Sequence, residues 1–173
     1  MRRHVFLVGA RASGKTSAAR GLASALGLGW TDTDARIQEL LGESIAALVE
    51  REGWDAFRHR ESAALRAVLE EEPMVVACGG GIVLREENRR MLARGLTLYL
   101  RAPAEVLAAR LAGDPLAGQR PSLTGRTIAE EVAGVLTERE PLYQGVADAA
   151  IDAALPLDEV VAACAAAVKD TDK

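Results

Sequence analysis

The run Val5-Phe6-Leu7-Val8-Gly9-Ala10-Arg11-Ala12-Ser13-Gly14-Lys15-Thr16-Ser17 decides the fold. Its four leading apolar residues read as a buried strand, and Ser17 to Leu26 reads as a helix. Between them, Gly9 to Thr16 fits the spacing G-x-x-x-x-G-K-[ST] of a phosphate-binding loop. Successive backbone N–H groups of such a loop converge on phosphate oxygens, and the helix N-terminus adds partial positive charge. Lys15 is read as reaching the outer phosphates and Thr16 as offering its hydroxyl to Mg²⁺. Gly9, Ala10, Arg11, Ala12, Ser13, Gly14 and Ser17 complete the nucleotide-binding set. By average residue usage the spacing alone arises in roughly one chain of this size in a hundred, and the flanking strand and helix make chance rarer still. The chain has three lysines, Lys15, Lys169 and Lys173. Elsewhere arginine carries the positive charge, so the loop takes a compact ammonium where a point charge on phosphate is wanted.

Outward from the loop, short apolar runs alternate with helical stretches. Strands are expected at His4–Val8, Gly29–Thr31, Met74–Cys78, Leu96–Leu100 and Ala147–Ile151. Helices are expected at Ser17–Leu26, Asp34–Leu41, Ser44–Glu50, Trp54–Glu70, Glu86–Ala93, Ala104–Ala112, Thr127–Tyr143 and Pro156–Val168. This alternation indicates an α/β sandwich around a mainly parallel sheet. Ligands of such folds sit beyond the C-terminal ends of the strands. The phosphate loop lies there, with Asp32-Thr33-Asp34 after the second strand and Gly79-Gly80-Gly81 after the third, which suggests one shared site. Gly113 to Gly125 breaks both periodicities. It carries Arg120 between Arg110 and Arg126, as a mobile lid bringing positive charge onto phosphate would; an ordinary surface loop is the other reading.

Composition is that of an ordinary globular chain, 49% hydrophobic and 27% charged with a formal net charge of −4. Mild acidity argues against general nucleic-acid binding, and the apolar stretches are too short for a membrane span. Met1-Arg2-Arg3-His4 runs straight into the first strand, so no signal peptide is expected. Cys78 and Cys164 lack metal-ligand spacing and read as small buried hydrophobes of a reducing, cytoplasmic protein. His4 and His59 read as surface or edge residues.

Absences narrow the class. The only asparagine is Asn88 and no lysine has the setting of a guanine motif, which excludes GTPases. The strand Met74–Cys78 ends in glycine rather than the acid of motor-type ATPases. A small-molecule kinase remains, in which closure keeps water out. Asp32 and Asp34, two apart after a strand, suit an Mg²⁺ hydration shell and a substrate hydroxyl; a polar turn with a helix cap is the alternative. Trp54, Phe57 and Arg58 share one helix face, two scarce aromatic rings beside an arginine, as a cyclic body bearing a carboxylate would need. Glu61 could pair with Arg58; a core-facing helix with a surface ion pair is the other reading. Gly79, Gly80 and Gly81 can bring bare backbone close to a ligand or form a flexible turn.

In order and spacing these elements resemble shikimate kinases over nearly the whole chain. They are the phosphate loop, Asp32-Thr33-Asp34, Gly53…Phe57-Arg58…Glu61, Gly79-Gly80-Gly81, Gln119-Arg120-Pro121 and Glu138-Arg139-Glu140-Pro141-Leu142-Tyr143. The resemblance implies ATP-dependent phosphorylation of the shikimate 3-hydroxyl. It also implies a three-layer sandwich with a five-stranded parallel sheet of the nucleoside-monophosphate-kinase type, working as a monomer. It implies one kinase domain over 1–173, with a substrate-binding segment about 32–61 and a mobile lid about 112–126. Asp34 would meet the reacting hydroxyl and assist loss of its proton. Arg58 and Arg139 would grip the carboxylate with Gly80 and Gly81, and Phe57 and Gly79 would border it. Arg120 would bridge substrate and phosphoryl group, Arg110 would lie against adenine, and Thr16 and Asp32 would hold Mg²⁺. Where the family usually has glycine this chain has Ala12, and the loop near Asp152–Pro156 lacks an arginine sometimes found there. A gluconate kinase of the same fold, or a module that kept the fold and lost catalysis, are the alternatives.

Overall fold

Val5–Val8 forms β1, every residue completely buried. A strand covered on both faces calls for an unbroken apolar run rather than alternation, which these four residues supply. Around β1 the sheet is entirely parallel, in the order β2-β3-β1-β4-β5. Here β2 is Gly29–Asp32, β3 Met74–Ala77, β4 Leu96–Arg101 and β5 Ala149–Asp152. Val5 pairs with Val75 on one side and with Leu96 on the other. The structure is a computed structural model and describes residues 3–114 and 127–171.

The helices are α1 Lys15–Leu26, α2 Thr33–Leu41, α3 Ile45–Val68, α4 Glu86–Leu92, α5 Ala104–Ala112, α6 Ile128–Val146 and α7 Leu157–Thr171. With the sheet they make the expected three-layer α/β sandwich. α1 packs against α7 and the strands β1 to β3, α5 packs on α6, and α6 lies against β4. The core runs from the strands through Leu22, Leu65, Leu107 and Cys164 to the stacked rings of Tyr99 and Tyr143. A smaller cluster of Ile37, Ile45, Leu48 and Phe57 pins α2 to α3.

The residues expected as two helices, Ser44–Glu50 and Trp54–Glu70, form one element broken only at Gly53, whose φ is 84° and ψ 171°. The glycine supplies a left-handed kink without a loop. Trp54, Phe57 and Arg58 are thereby turned off the line of the preceding turns. His4 is a correction: it is buried, its ring stacks on Phe6, and Nδ1 accepts the Met74 N–H at 3.3 Å. It extends the central strand, so neighbours on both sides cover it. Burial holds its pKa below the usual histidine value. His59 is exposed, as expected, beside Arg85. Both cysteines are free and buried.

Candidate active site

The phosphate loop joins β1 to α1, with Gly14 left-handed at φ 88° immediately before the helix. Ala12 also has positive φ, 65°, so it keeps the conformation that glycine adopts at no steric cost. Lys15 Nζ donates to the carbonyls of Gly9 at 2.9 Å and Ala10 at 2.8 Å, folded over the loop it serves. The Thr16 hydroxyl donates to Asp32 Oδ2 at 2.7 Å. The other oxygen of that carboxylate accepts the N–H groups of Asp34 at 2.9 Å and Ala35 at 3.2 Å. Asp32 is therefore the cap of α2, as the polar-turn reading of Asp32-Thr33-Asp34 has it, and at the same time the hydrogen-bond partner of Thr16. Lys15, Thr16, Ser17, Asp32, Asp34, Cys78 and Gly79 border a cleft with the loop residues Arg11, Ala12 and Gly14.

A second cleft opens beside it. α3 supplies Trp54, Phe57, Arg58 and Glu61, α6 supplies Glu131 and Arg139, and the glycine turn supplies Gly80 and Gly81. The Arg58 guanidinium lies 5.3 Å from the Trp54 ring and 5.2 Å from the Phe57 ring, within cation–π range. It is paired with Glu61, whose side chain is fully buried. Burial pushes the Glu61 carboxyl up to about 7, against the pull of Arg58, and the nearby Asp34 adds to the rise. Arg139 Nη1 donates to the Gly80 carbonyl at 3.2 Å, and the Tyr143 hydroxyl donates to the same carbonyl at 2.5 Å. Buried Arg139 Nε and Glu61 Oε1 have no acceptor or donor among the described residues.

The glycines are explained by neighbours as much as by any ligand. A Cβ on Gly79 would lie 2.5 Å from Asp34 Oδ1 and 2.6 Å from Glu61 Oε1, and one on Gly81 would overlap the Arg58 guanidinium. Gly80 has room for one, its nearest neighbour being Arg11 N at 3.5 Å. Arg11 and Asp34 border both clefts, so the two open into each other there. Arg110 stands apart from both, donating to the carbonyls of Ala12 at 3.3 Å and Ala153 at 2.8 Å.

Asp34, Arg58, Phe57, Gly80, Gly81 and Arg139 thus meet in one place, and Lys15, Thr16 and Asp32 in the adjoining one. Arg120 and most of the lid expected at 112–126 lie outside the described residues. Sequence reasoning missed Tyr143 as a support of the glycine turn, although it follows Arg139 by one helical turn and so shares its face. Ile45 and Glu131 also border the second cleft unforeseen. No local pattern marks them, because the kink at Gly53 and the docking of α6 bring them there.

A family model described as shikimate kinase matches residues 11–169. The chain is 52% identical over 162 residues to a protein named shikimate kinase 2 from Yersinia enterocolitica, covering 93% of this chain and 92% of that one. It is 56% identical over 140 residues to a shikimate kinase from Nitratidesulfovibrio vulgaris, 80% of each. Among solved structures it resembles a shikimate kinase from Acinetobacter baumannii in complex with shikimate. The TM-score is 0.91 at 30% identity, over 100% of this chain and 96% of that one.

Proposed function

The chain belongs to the shikimate kinase family, and from that premise we propose how its two joined clefts carry out ATP-dependent phosphorylation of the shikimate 3-hydroxyl. The observation that carries the reading is the place of Asp34 on the border of both clefts. A hydroxyl held there faces the carboxylate of Asp34 while its own ring carboxylate reaches Arg58 and Arg139.

The loop amides and Lys15 hold the nucleotide's phosphates. Thr16 and Asp32, hard oxygen donors already 2.7 Å apart, suit Mg²⁺, which keeps most of its waters and takes few protein ligands. That ion, when bound, neutralises phosphate charge. In the transfer, the substrate oxygen bonds to the γ-phosphorus as the bond to the β–γ bridging oxygen breaks. The hydroxyl proton leaves toward Asp34. Little covalent chemistry is asked of the protein, so alignment and compensation of charge on the phosphoryl oxygens do most of the work. Lys15 supplies that charge; Arg120 joins it by the resemblance alone.

The guanidinium of Arg58 is aimed before substrate arrives, because the Trp54 and Phe57 rings and the Glu61 carboxylate hold it. Arg139 Nε, buried and without an acceptor among the described residues, suits a carboxylate. Trp54, Phe57 and Ile45 offer the apolar wall that a ring requires. A gluconate kinase would not need two arginines beside an aromatic pair. We place Arg110 near the adenine and read the working unit as a cytoplasmic monomer of one kinase domain, needing neither nucleic acid nor membrane. Among the described residues no helix is long and apolar enough to cross a membrane.

The test is a coupled ADP-release assay with ATP and Mg²⁺ on shikimate and on gluconate, with and without chelator. Release with shikimate that chelator abolishes supports the reading. No turnover at millimolar shikimate, or preference for gluconate, rejects it.

A further inference from the structure

Arg110 sits in the last turn of α5 and ties two loops together. Nη1 donates to Ala12 O in the phosphate loop and Nη2 to Ala153 O after β5. Ala12 is the one non-glycine residue with positive φ among the described residues. It stands third in a turn closed by Ser13 N–H on Ala10 O at 3.3 Å, the position that type II turns give to glycine. Its Cβ disfavours that state, yet turn conformations with a left-handed residue are what aim successive backbone N–H groups at one anion. The Ala12–Ser13 peptide is planar and is held at both ends, its carbonyl by Arg110 and its N–H by Ala10.

We infer that Arg110 is a positioning residue for the phosphate loop, its guanidinium holding Ala12 in the left-handed state from which the loop grips a nucleotide's phosphates. The inference rests on the proposed function only in taking Gly9–Thr16 as the phosphate site. A residue that merely lies against adenine matters only when a base is present. A residue that holds the loop matters without one, and matters less when position 12 needs no help.

The experiment titrates Mg²⁺-inorganic tripolyphosphate, which has no base, and ATP into wild type, Arg110→Ala, Ala12→Gly and the double variant. Circular dichroism checks that each is folded. Arg110→Ala weakens tripolyphosphate about tenfold, as loss of one charge-assisted hydrogen bond would. In the Ala12→Gly background the loss shrinks to about threefold or less, because glycine holds the conformation unaided. ATP loses at least as much as tripolyphosphate, since Arg110 is also placed near the adenine, with the KM for shikimate unmoved. Arg110→Lys keeps the charge but not the fork that spans two carbonyls. It gives an intermediate loss with the same dependence on Ala12→Gly, and stands in should Arg110→Ala not fold. Weakened ATP with unweakened tripolyphosphate, equal losses in both backgrounds, or no tripolyphosphate binding by wild type overturns the inference. Absence of shikimate phosphorylation by wild type would sink the functional reading instead and leave this comparison standing.

Discussion

The two clefts are built in opposite ways. The phosphate cleft is mostly backbone: eight consecutive residues, Gly9 to Thr16, with Lys15 folded over their carbonyls and one carboxylate, Asp32, bracing the start of α1 through Thr16. The acid cleft is mostly side chain. Arg58 and Glu61 come from α3, Arg139 and Glu131 from α6, and the glycine turn lies between. On the proposed reading, backbone grips a phosphate that every kinase of this kind must hold, whereas side chains choose the acceptor. Damage to the first should therefore fall on transfer and damage to the second on recognition.

The sharpest break of that contrast is Lys15→Ala. Phosphoryl transfer is expected to fall on the order of a thousandfold or more, as for other groups that stabilise transition-state charge, with the circular dichroism of the fold retained. Next comes Arg139→Ala. On the proposed grip on the substrate carboxylate, losing this donor is expected to raise the KM for shikimate roughly a hundredfold, at about 1.5–3 kcal/mol per charged hydrogen bond, while the KM for ATP stays near wild type. A comparable rise in the nucleotide KM would show that the clefts are not separable. Gly81→Ala drives a methyl into the Arg58 guanidinium. Displacing one grip on the carboxylate is expected to raise the shikimate KM about tenfold and leave kcat within about threefold.

Glu61 sharpens the comparison through pH. Its carboxyl is pushed up to about 7 by burial, so the folded protein holds this proton more tightly than the unfolded chain. Its contribution to stability is complete below its ordinary value near 4.5 and is lost as pH rises through about 7. Thermal midpoints measured from about pH 5 to about pH 8 should fall more steeply for wild type than for Glu61→Gln. Parallel curves would mean that Glu61 is not buried as the structure has it. The smallest effect is that of Ala12→Gly, which relieves a left-handed alanine. It should raise stability by about 1 kcal/mol at most, once the added freedom of glycine in the unfolded chain is offset.

The same contrast explains what could be read before any coordinates. The phosphate loop is contiguous, so its spacing names it and the apolar run before it fixes the central strand. The Arg58–Glu61 pair and the aromatic face of α3 were legible because three- and four-residue spacing on a helix is local geometry. Their burial was not, since it depends on α6, which follows only after β3, α4, β4 and α5 in the chain. Asp32 could not be assigned to one role because it has two, cap and partner of Thr16. Gly79 and Gly81 read as ligand approach or flexible turn, and turn out to make room for Asp34, Glu61 and Arg58. His4 reads as a surface or edge residue from the sequence because a polar ring just before an apolar run carries no sign that Phe6 and β3 will cover it.

The central claim is that the clefts meet at Asp34, so that one carboxylate serves the acceptor without holding either ligand by itself. Asp34→Asn keeps the size and the backbone N–H bonded to Asp32. The direct measurement is the single-turnover rate of phosphate transfer in this variant, set beside its calorimetric affinities for shikimate and ATP. The transfer rate is expected to fall by about a hundredfold or more, with both affinities within about fivefold of wild type. Transfer at the wild-type rate, or loss of binding large enough to explain the slower turnover, would contradict it.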